Sequence, residues 1–471
     1  MRYISTRGAP AELDFVEAML AGLARDGGLY VPTAWPTLSP ETIGGFAGRP
    51  YAEVAVEVLK PFVGEAIAEA DLARMAREAY GTFRHPATAP LVQLGDSLFV
   101  LELFHGPTLA FKDLAMQLVA RLMDHVLIQR NERTTIVVAT SGDTGGAAVE
   151  AFRGRSQVDV IALYPNGRIS EVQRRMMTTA PDDNVHALAI EGTFDDCQAL
   201  VKAMFNHHAF RDRVRLSGVN SINWARIVAQ CVYYFTAAVA LGAPHRKVAF
   251  TVPTGNFGDV YAGYVASRMG LPVDRLVVAT NVNAILARTF ATGDYETRGV
   301  TATASPSMDI QVSSNFERLL FESCGRDSHA VKALMGSLTQ SGRFTVPGDA
   351  LKKMRALMSA DRADEQETAA TIRAWMREAS YCADPHTAVA LAVAEKEVRD
   401  RAVPMVVLST AHPAKFPDAV KAACGVTPGL PDWLSDLPKR KERITVLPAD
   451  QAQVEKFVSN ASRAAREGVS A

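Results

Sequence analysis

The chain has 471 residues, of which 48% are hydrophobic and 21% are charged, and its formal net charge at pH 7 is −1. This length suffices for two or three domains with a large shared core, and the near-neutral charge argues against nucleic acid or an anionic membrane as a partner. The five cysteines are scattered without a CxxC pair, which favours a reducing compartment over a disulfide framework or a zinc site.

Residues 1–88 are predicted to form a mostly helical N-terminal domain. Apolar residues at helical spacing begin at Phe15 and recur at 51–59 and 71–80, and 86–90 is the expected joint to the next domain. The opening sequence MRYISTRGAPAELDF lacks the apolar core of a signal peptide, and no run of about 18 apolar residues follows. We therefore predict a soluble, cytoplasmic protein without a membrane partner.

Residues 89–440 change to alternating strands and helices. A β-branched strand at 134–140, a helix at 147–152 and a second apolar strand at 158–164 make one βαβ unit. Uniformly apolar strands are typical of a parallel sheet covered on both faces. Further strands are predicted at 247–252, 276–281 and 404–409, and further helices at 195–207, 224–240, 260–269 and 361–379. Residues 441–471 are predicted to be a tail that packs on this core.

One lysine occupies an unusual place in the stretch FHGPTLAFKD, residues 104–113. An apolar strand at 97–103 precedes it, and Thr108 is the predicted N-cap of a helix over 109–130. Lys112 would then lie in the first turn of that helix among apolar neighbours, and both burial and the helix dipole lower a lysine pKa. The pattern is typical of a nucleophilic amine, the alternative being a lysine whose ammonium reaches solvent.

A glycine-rich turn, PTGNFGDV at 253–260, follows a strand and begins a helix. Gly255 and Gly258 allow a phosphate to approach the backbone N–H groups at the helix N-terminus. The turn has neither the GKS/GKT of a P-loop nor the spacing of a dinucleotide fingerprint. It predicts a phosphate site without a nucleotide, unless the turn is purely structural.

Three other polar stretches adjoin predicted strands or a buried helix. The loop ATSGDTGGAA offers hydroxyls and glycine N–H groups for a carboxylate or phosphate, or it is simply a capped helix start. LSTAHPAKF follows a late strand, and NSINWARI precedes a buried helix. The adjacent His207 and His208 are a poor metal pair, so we expect no metal site. The candidate ligand-binding residues are Ser141, Gly142, Asp143, Thr144, Gly145, Asn220, Ser221, Asn223, Arg226, Thr410 and Lys415.

An activated lysine, a phosphate cup without a nucleotide motif and further polar loops are what pyridoxal phosphate catalysis requires. At this point FHGPTLAFKD, SGDTGGAA, PTGNFGD and LSTAHPAKF, in this order, resemble the threonine synthases of the bacterial and fungal kind. The N-terminal stretches YISTRG and GLARDGGLYVP are similar to that family as well. The resemblance covers nearly the whole chain except about the last 30 residues.

The resemblance implies a fold type II pyridoxal-phosphate enzyme, with two open parallel-sheet lobes like those of the tryptophan synthase β-subunit plus the helical N-terminal domain. Lys112 matches the Schiff-base lysine, Gly255, Asn256, Phe257 and Gly258 match the phosphate loop, and Thr410 matches the residue at the pyridine nitrogen. The loop 141–145 matches the one that holds the substrate carboxylate, with Asp143 where relatives outside the family more often have asparagine. Arg226, Lys415 and the 220s are candidates for the substrate phosphate.

The implied reaction is the conversion of O-phospho-L-homoserine and water to L-threonine and phosphate by a carbon–oxygen lyase. We expect a monomer or weak homodimer whose partner is the small-molecule substrate, and no activation by S-adenosylmethionine. Two other readings remain open. One is another fold type II enzyme, such as serine or threonine dehydratase or cysteine synthase. The other is a threonine-synthase-like protein that binds phosphorylated ligands without turnover.

Overall fold

The N-terminal region of the chain contains helices and one small sheet. A computed structural model describes residues 1–398 and 400–467. The predicted helices are confirmed, but two strands of three residues each, too short to show periodicity, pair antiparallel beside them. These elements are β1 (Tyr3–Ser5), α1 (Phe15–Ala21), β2 (Tyr30–Pro32), α2 (Pro40–Gly44), α3 (Tyr51–Val63) and α4 (Glu69–Tyr80).

Strands and helices alternate through the next part of the chain, as predicted. The strand that precedes Lys112 and the first βαβ unit lie within a residue or two of their expected bounds, except that the helix of this unit starts four residues earlier. The elements are β3 (Leu91–Gly95), β4 (Leu98–Glu102), α5 (Lys112–Arg130), β5 (Thr134–Ala139), α6 (Asp143–Phe152), β6 (Val158–Pro165), α7 (Glu171–Thr178), β7 (Val185–Glu191), α8 (Phe194–Asn206), α9 (His208–Arg213), β8 (Leu216–Ser217) and α10 (Trp224–Ala240).

The remaining elements run from the second predicted strand–helix unit to the C-terminal region. Short 3-10 helices at Gly64–Ala66, Pro306–Met308, Pro413–Lys415, Asp432–Leu434 and Leu437–Lys439 accompany the regular elements. The elements are β9 (Val248–Pro253), α11 (Gly258–Arg268), β10 (Val273–Thr280), α12 (Ile285–Thr292), β11 (Asp294–Glu296), α13 (Phe316–Ser323), α14 (Ser328–Ser341), β12 (Arg343–Thr345), α15 (Gly348–Leu357), β13 (Met358–Arg362), α16 (Glu365–Ala379), α17 (Pro385–Lys396), β14 (Met405–Ser409), α18 (Pro417–Cys424), β15 (Thr445–Pro448), α19 (Gln451–Ala461) and α20 (Arg463–Glu467).

Two open sheets form the two lobes. One sheet has the order β13-β10-β9-β14-β4-β3 and is parallel except for the edge strand β3, and the other has the order β15-β7-β6-β5-β8 and is parallel throughout. Every residue of β5, β6, β9 and β14 is buried, as their largely apolar sequences predict. The carboxyl ends of parallel strands, where open sheets bind ligands, are therefore available in both lobes.

The C-terminal region contributes to the second sheet. β15 adds a parallel edge strand to β7, and Arg463 donates to Asp159 of β6 across 2.6 Å. Residues 441–467 of the predicted tail are thus attached to the core through a strand that the sequence analysis missed, and residues 468–471 lie outside the described part of the chain. Among the helices of residues 1–398 and 400–467, none has both the length and the apolar character needed to cross a membrane.

Candidate active site

A cavity lies between the two sheets, where several polar loops leave the carboxyl ends of their strands. Lys112 follows β4, Ser141, Asp143 and Thr144 follow β5, Asn220 and Ser221 follow β8, the glycine turn follows β9, and Thr410 follows β14. The site residues predicted from sequence that line the cavity are Lys112, Ser141, Asp143, Thr144, Asn220, Ser221, Arg226, Gly255, Asn256, Phe257, Gly258 and Thr410.

The loop that carries Lys112 is fixed by a contact between distant parts of the chain. The predicted helix over 109–130 begins instead at Lys112, because Leu109 has a positive φ of 59° and Ala110 pairs with Ala411. The N–H of Phe111 donates to the carbonyl of Thr410 across 2.8 Å. Lys112 is therefore the first helical residue of α5, and its neighbour across this pairing is Thr410.

Thr108 does not cap α5, contrary to the prediction. Its N–H and its hydroxyl donate to the two carboxyl oxygens of Asp113, each across 2.7 Å. The helix has no side-chain cap, and its N-cap position is Phe111. The Thr108–Asp113 contact instead closes the loop ahead of Lys112, and burial raises the pKa of Asp113 to about 6.

The Lys112 amine is largely buried and faces a carboxylate. Its side chain is 12% exposed, and Nζ lies 3.3 Å from Oδ2 of Asp143. Burial lowers the pKa of Lys112 and Asp143 raises it, while Lys415 and Arg226 add to the lowering. The net direction is downward, so Lys112 holds its proton less tightly than an exposed lysine. This agrees with the prediction of an activated amine.

Lys415 lies behind Asp143, so it does not face the cavity as a ligand-binding residue would. Its side chain is 1% exposed, and its Nζ donates to Oδ1 of Asp143 across 2.6 Å and to the carbonyl of Thr108 across 2.8 Å. Gln173 donates to the same Oδ1 across 2.9 Å. Burial would raise the pKa of Asp143, but Lys415 and Lys112 lower it well below its usual value, which keeps this carboxyl ionised.

The turn Gly255–Gly258 has the open backbone donors expected of an anion site. No acceptor within the described ranges 1–398 and 400–467 binds the N–H groups of these four residues. Phe257 lies in the left-handed region with φ 64°, directly before α11. The four N–H groups thus remain available at the N-terminus of an 11-residue helix, where an anion is favoured.

A neighbouring segment binds the carbonyls of the same turn. The Ser313 hydroxyl donates to the carbonyl of Gly255 across 2.6 Å, and the side-chain amide of Asn315 donates to that of Asn256 across 3.0 Å. Gly255 packs closely here, because a Cβ on it would lie only 2.4 Å from the carbonyl oxygen of Ser307. The segment 305–315 therefore orients the turn, and glycine is required at position 255.

His386 contacts the segment 305–315 and also lines the cavity. Its Nδ1 contacts Oδ2 of Asp384 across 2.7 Å, and its Nε2 accepts the N–H of Ser307 across 3.2 Å. These two contacts suit a neutral ring protonated on Nδ1. Asp384 also caps α17, which has Pro385 at its first position.

The loop 141–145 provides only part of the predicted donor set. The N–H groups of Gly142 and Gly145 donate to the hydroxyl of Thr140 across 2.9 and 2.8 Å, so they are not available to a ligand. Neither glycine lines the cavity, whereas Ser141 and Thr144 do. The expectation that both glycines bind the ligand is therefore wrong, because their N–H groups are bound to the Thr140 hydroxyl at the start of α6.

Only some of the predicted ligand-binding residues in the stretch before α10 line the cavity. Asn220 and Ser221 line the cavity, but Asn223 is fully buried elsewhere and caps α10. The Asn223 amide donates to the carbonyls of Met19 and Gly218, each across 2.9 Å. Asn223 thus joins the N-terminal domain to α10 and is not a ligand-binding residue.

Arg226 is a buried cation on the cavity wall without a carboxylate partner in the described part of the chain. Its side chain is 2% exposed, it donates to the carbonyl of Val219 across 3.0 Å, and its Nε has no partner. Burial lowers its pKa to about 10. An uncompensated charge of this kind is expensive, so an anionic ligand would relieve it.

Thr410 offers an unused hydroxyl on the cavity wall. It is 6% exposed, and its side chain makes no hydrogen bond to the residues of 1–398 and 400–467. Its backbone is held by Phe111, which keeps the hydroxyl near Lys112. The arrangement agrees with the prediction that Thr410 meets a ligand atom.

The sequence analysis missed several cavity residues. His386 follows an Asp-Pro helix start, a signal that was readable from sequence. Asp259 comes directly after the glycine turn, and the hydroxyls of Tyr233 and Tyr234 donate to its Oδ1 across 2.5 and 3.1 Å. The others gave no local signal. The missed residues that line the cavity include Phe194, Gln198, Gln230, Asp259, Ser307, Met308, Ile310 and His386.

The described residues, 1–398 and 400–467, hold no group of three or more histidine, cysteine, aspartate or glutamate side chains placed to bind a metal ion. The donors that the cavity walls offer are one amine, one arginine, two helix N-termini and several hydroxyls. These are the donors expected for an anionic ligand that also reacts with an amine.

Three protein-family models together match almost the whole chain. The model for the threonine synthase N terminus matches residues 2–80, the model for pyridoxal-phosphate dependent enzymes matches residues 80–409, and the model for the threonine synthase C-terminal region matches residues 387–458. The second model alone covers more than half of the sequence and includes Lys112, the glycine turn and the strand before Thr410.

Individual proteins agree with the family models. A threonine synthase of Pseudomonas aeruginosa is 53% identical over 98% of both chains. The crystal structure of a PLP-bound threonine synthase from Brucella melitensis superimposes with a TM-score of 0.95 at 61% identity, covering 98% of this chain and 100% of that one. The threonine synthase structure from yeast gives a TM-score of 0.91 at 39% identity, with 98% of each chain covered.

Proposed function

This chain belongs to the threonine synthase family, within the fold type II pyridoxal-phosphate enzymes, and we propose that it converts O-phospho-L-homoserine and water to L-threonine and phosphate. The observation that carries the proposal is the Lys112 amine. It is buried in a cavity between two helix N-termini, and its pKa is lowered. Conversion of a phosphorylated amino acid requires an amine that transfers protons and separate binding sites for the carboxylate and the phosphate. The cavity offers both.

The residues present fit the cofactor. The four N–H groups of Gly255–Gly258 and the positive end of α11 suit its phosphate, and Lys112 suits its aldehyde. The free hydroxyl of Thr410 suits the pyridine nitrogen as a neutral partner. When bound, pyridoxal phosphate supplies a covalent link to an amine and a ring that stabilises negative charge at the substrate Cα.

Lys112 is the proposed acid and base. Because burial lowers its pKa, Nζ can accept a proton from the substrate Cα and return it at a neighbouring carbon. Asp143 lies 3.3 Å away and orients the amine. One lysine can thus serve several proton transfers, provided that its pKa lies near the working pH.

Arg226 is the proposed contact for the substrate phosphate, and the N-terminus of α6 for the substrate carboxylate. Arg226 lines the cavity and its buried Nε has no partner, and guanidinium groups bind phosphate strongly. Ser141 and Thr144 add hydroxyls at the start of α6, with Asn220 and Ser221 beside them. Gly142, Gly145, Asn223 and Lys415 are not proposed as ligand contacts, because their donors are bound within the protein.

Apolar side chains limit water in the cavity. Phe111, Phe194, Met308 and Ile310 contribute to its walls. Water has to reach only the substrate Cβ after phosphate has left Cγ, so a mostly closed wall favours one product. The segment that includes Met308 is held by His386, and we propose that this contact keeps the wall in place over the bound substrate.

We also propose a domain organisation, an oligomeric state and a cellular location for the chain. The N-terminal domain, residues 1–88, would support the site through α10, since Asn223 and Ser217 donate to carbonyls of α1. Residues 89–440 would form the catalytic core and 441–471 its C-terminal extension. We propose a monomer or weak homodimer that acts in the cytoplasm, a location supported by the free state of all five cysteines.

The test is an assay of phosphate release from O-phospho-L-homoserine by the cofactor-loaded protein, with the amino-acid product identified as threonine. Turnover of free serine or threonine, or of O-acetylserine with sulfide, in the absence of turnover of O-phosphohomoserine, would favour the dehydratase or cysteine synthase reading. Binding of O-phosphohomoserine without any phosphate release would favour a non-catalytic binder. Either result would refute the proposed function.

Replacing Lys112 by alanine tests its proposed roles in proton transfer and in covalent binding of the cofactor. We expect Lys112→Ala to lower turnover at least about 100-fold, the usual scale for a lost acid–base group, and to abolish covalent capture of the cofactor. The fold should persist, since removing a buried cation relieves a desolvation penalty. Lys421→Ala, on the exposed side of α18, is the matched control and should leave both properties unchanged. Substantial turnover by Lys112→Ala would remove the mechanism.

A further inference from the structure

We propose that Lys415 is a positioning residue that acts through Asp143 to keep the amine of Lys112 available as a free base. This inference rests on the proposed function, because it concerns the protonation of the lysine that the cofactor uses. It assigns to Lys415 a role different from the ligand contact predicted from its sequence motif.

The geometry separates the two oxygens of Asp143. Oδ1 receives Lys415 across 2.6 Å and Gln173 across 2.9 Å. Oδ2 faces Lys112 at the longer distance of 3.3 Å. The carboxylate is thus held from behind by two donors and presents its second oxygen to the cavity, so its stronger ion pair is the one with Lys415.

Lys415 cannot serve as a ligand contact in this arrangement. Its side chain is 1% exposed, and its ammonium is engaged by Asp143 and by the carbonyl of Thr108, 2.8 Å away. It therefore reaches a bound molecule only through Asp143. The backbone carbonyl of Thr108 also ties Lys415 to the loop that precedes α5, which fixes the ammonium relative to Lys112.

The net charge of Lys112, Asp143 and Lys415 determines which protonation state of Lys112 is favoured. One carboxylate lies between two ammonium groups, and burial penalises any charge left over. Because Lys415 already neutralises Asp143, a protonated Lys112 would be the excess charge in the cluster. Proton loss from Lys112 leaves a neutral Asp143–Lys415 pair, and both Lys415 and burial favour that state.

Other charged groups around the cluster do not reverse this balance. Arg226 acts on Lys112 in the same direction as Lys415. Asp259, in the first turn of α11, faces Lys112, but burial raises its pKa to about 7, so this carboxyl is only partly ionised near neutral pH. Asp113, on α5, and His412, in the loop after β14, face Lys415. Burial lowers the pKa of His412 to about 4, so its ring is neutral near pH 7.

The experiment measures the proton affinity of Lys112 without using turnover. Full-length protein freed of cofactor is mixed with pyridoxal phosphate at a series of pH values, and the rate of covalent capture is followed by borohydride trapping and mass spectrometry of the Lys112 peptide. Capture needs the unprotonated amine, which joins the aldehyde carbon with loss of water. The midpoint of the pH profile therefore reports the pKa of Lys112.

We expect Lys415→Met to raise the midpoint by about one pH unit or more, so that capture is about tenfold slower below both midpoints. The limiting rate at high pH should stay close to that of the wild type. Lys415→Gln keeps hydrogen-bonding capacity without the charge and should shift the midpoint in the same direction. Lys421→Met, an exposed lysine on α18, is the control and should leave the profile unchanged.

An unchanged midpoint in Lys415→Met overturns this inference, even if the limiting rate falls, because a purely structural role changes rates without changing proton affinity. If Lys415→Met does not fold by circular dichroism, the midpoint of Lys415→Gln decides in the same way. Absence of capture at Lys112 in the wild type would overturn the proposed function, and this inference with it. The two failures are therefore distinguishable.

Discussion

Replacing Arg226 by methionine should separate ligand binding from stability, because this cation has almost no partners of its own. Arg226 is 2% exposed, makes one hydrogen bond to the carbonyl of Val219 and has an unpartnered Nε. Arg318 is equally buried, but its guanidinium donates to Tyr30, Asn315 and Ile222. Burial lowers the pKa of both arginines to about 10, so the pair is matched in environment and differs in contacts.

The expected magnitude follows from that pKa. The fall for Arg226 from 12.5 to about 10 corresponds to about 3 kcal/mol against its charged form. Since the folded-state pKa lies well above 7, this penalty is fully present near neutral pH. Methionine removes it and loses a charge-assisted hydrogen bond worth about 1.5 to 3 kcal/mol. The net change in the free energy of unfolding of Arg226→Met should therefore lie between about 0 and +2 kcal/mol.

Arg318→Met should behave in the opposite way. It leaves several buried acceptors unpaired, and we expect a loss of about 3 to 5 kcal/mol of stability. The assay is urea unfolding of both variants and the wild type, each loaded with cofactor so that the glycine turn is occupied, with and without inorganic phosphate as the probe. Phosphate should stabilise the wild type by mass action, and the loss of Arg226 should weaken this binding by about 10- to 100-fold.

Two outcomes would refute the reasoning about Arg226. One is a loss of stability in Arg226→Met as large as that in Arg318→Met, which would mean that its contacts are structural. The other is an unchanged response to phosphate, which would place the anion elsewhere. Stability kept together with a lost phosphate response is the expected combination, and it supports an anion as the natural partner of Arg226.

Two further predictions concern the glycine turn. Gly255→Ala would place a Cβ 2.4 Å from the Ser307 carbonyl oxygen, so it should lower the free energy of unfolding in urea by about 1 to 3 kcal/mol and weaken cofactor binding. Gly299→Ala, whose Cβ would meet nothing within 4 Å, is the control and should have neither effect. Equal effects of the two substitutions would contradict this prediction. Burial raises the pKa of Asp259 from 3.8 to about 7, so the folded protein binds the extra proton and its stability should fall as pH rises from about 4 to 7, by at most about 1.4 kcal/mol per pH unit. Asp259→Asn should lack this contribution, and parallel unfolding profiles for variant and wild type across that range would argue against it.

Local patterns determined the parts of the fold that depend on neighbouring residues. The continuous apolar runs of β5, β6, β9 and β14 predict buried parallel strands, because both faces of such strands are covered. The glycine turn at 255–258 predicts free N–H groups before a helix, since glycine permits the close approach that an anion needs. Lys112 was a candidate because a lysine is unfavourable in the first turn of a helix, and the resemblance to threonine synthases implied its role.

Contacts between distant parts of the chain decided the rest. Both Lys415 and Asn223 are polar residues in motif-like stretches, yet one binds Asp143 and the other caps α10 against the carbonyls of Met19 and Gly218. His386 reaches the cavity because α17 begins beside β14. No local pattern carries these relations.

The sequence by itself indicated the fold class and singled out Lys112 and the glycine turn as candidates, since local patterns and the four motifs that resemble threonine synthases can be read without coordinates. Only the tertiary structure decided which polar groups remain free for a ligand. A donor is available when no other part of the chain satisfies it, and that depends on packing between segments far apart in sequence. The N–H groups of Gly142 and Gly145 are bound by Thr140 and so are not available to a ligand. The Nε of Arg226 has no partner in the described part of the chain.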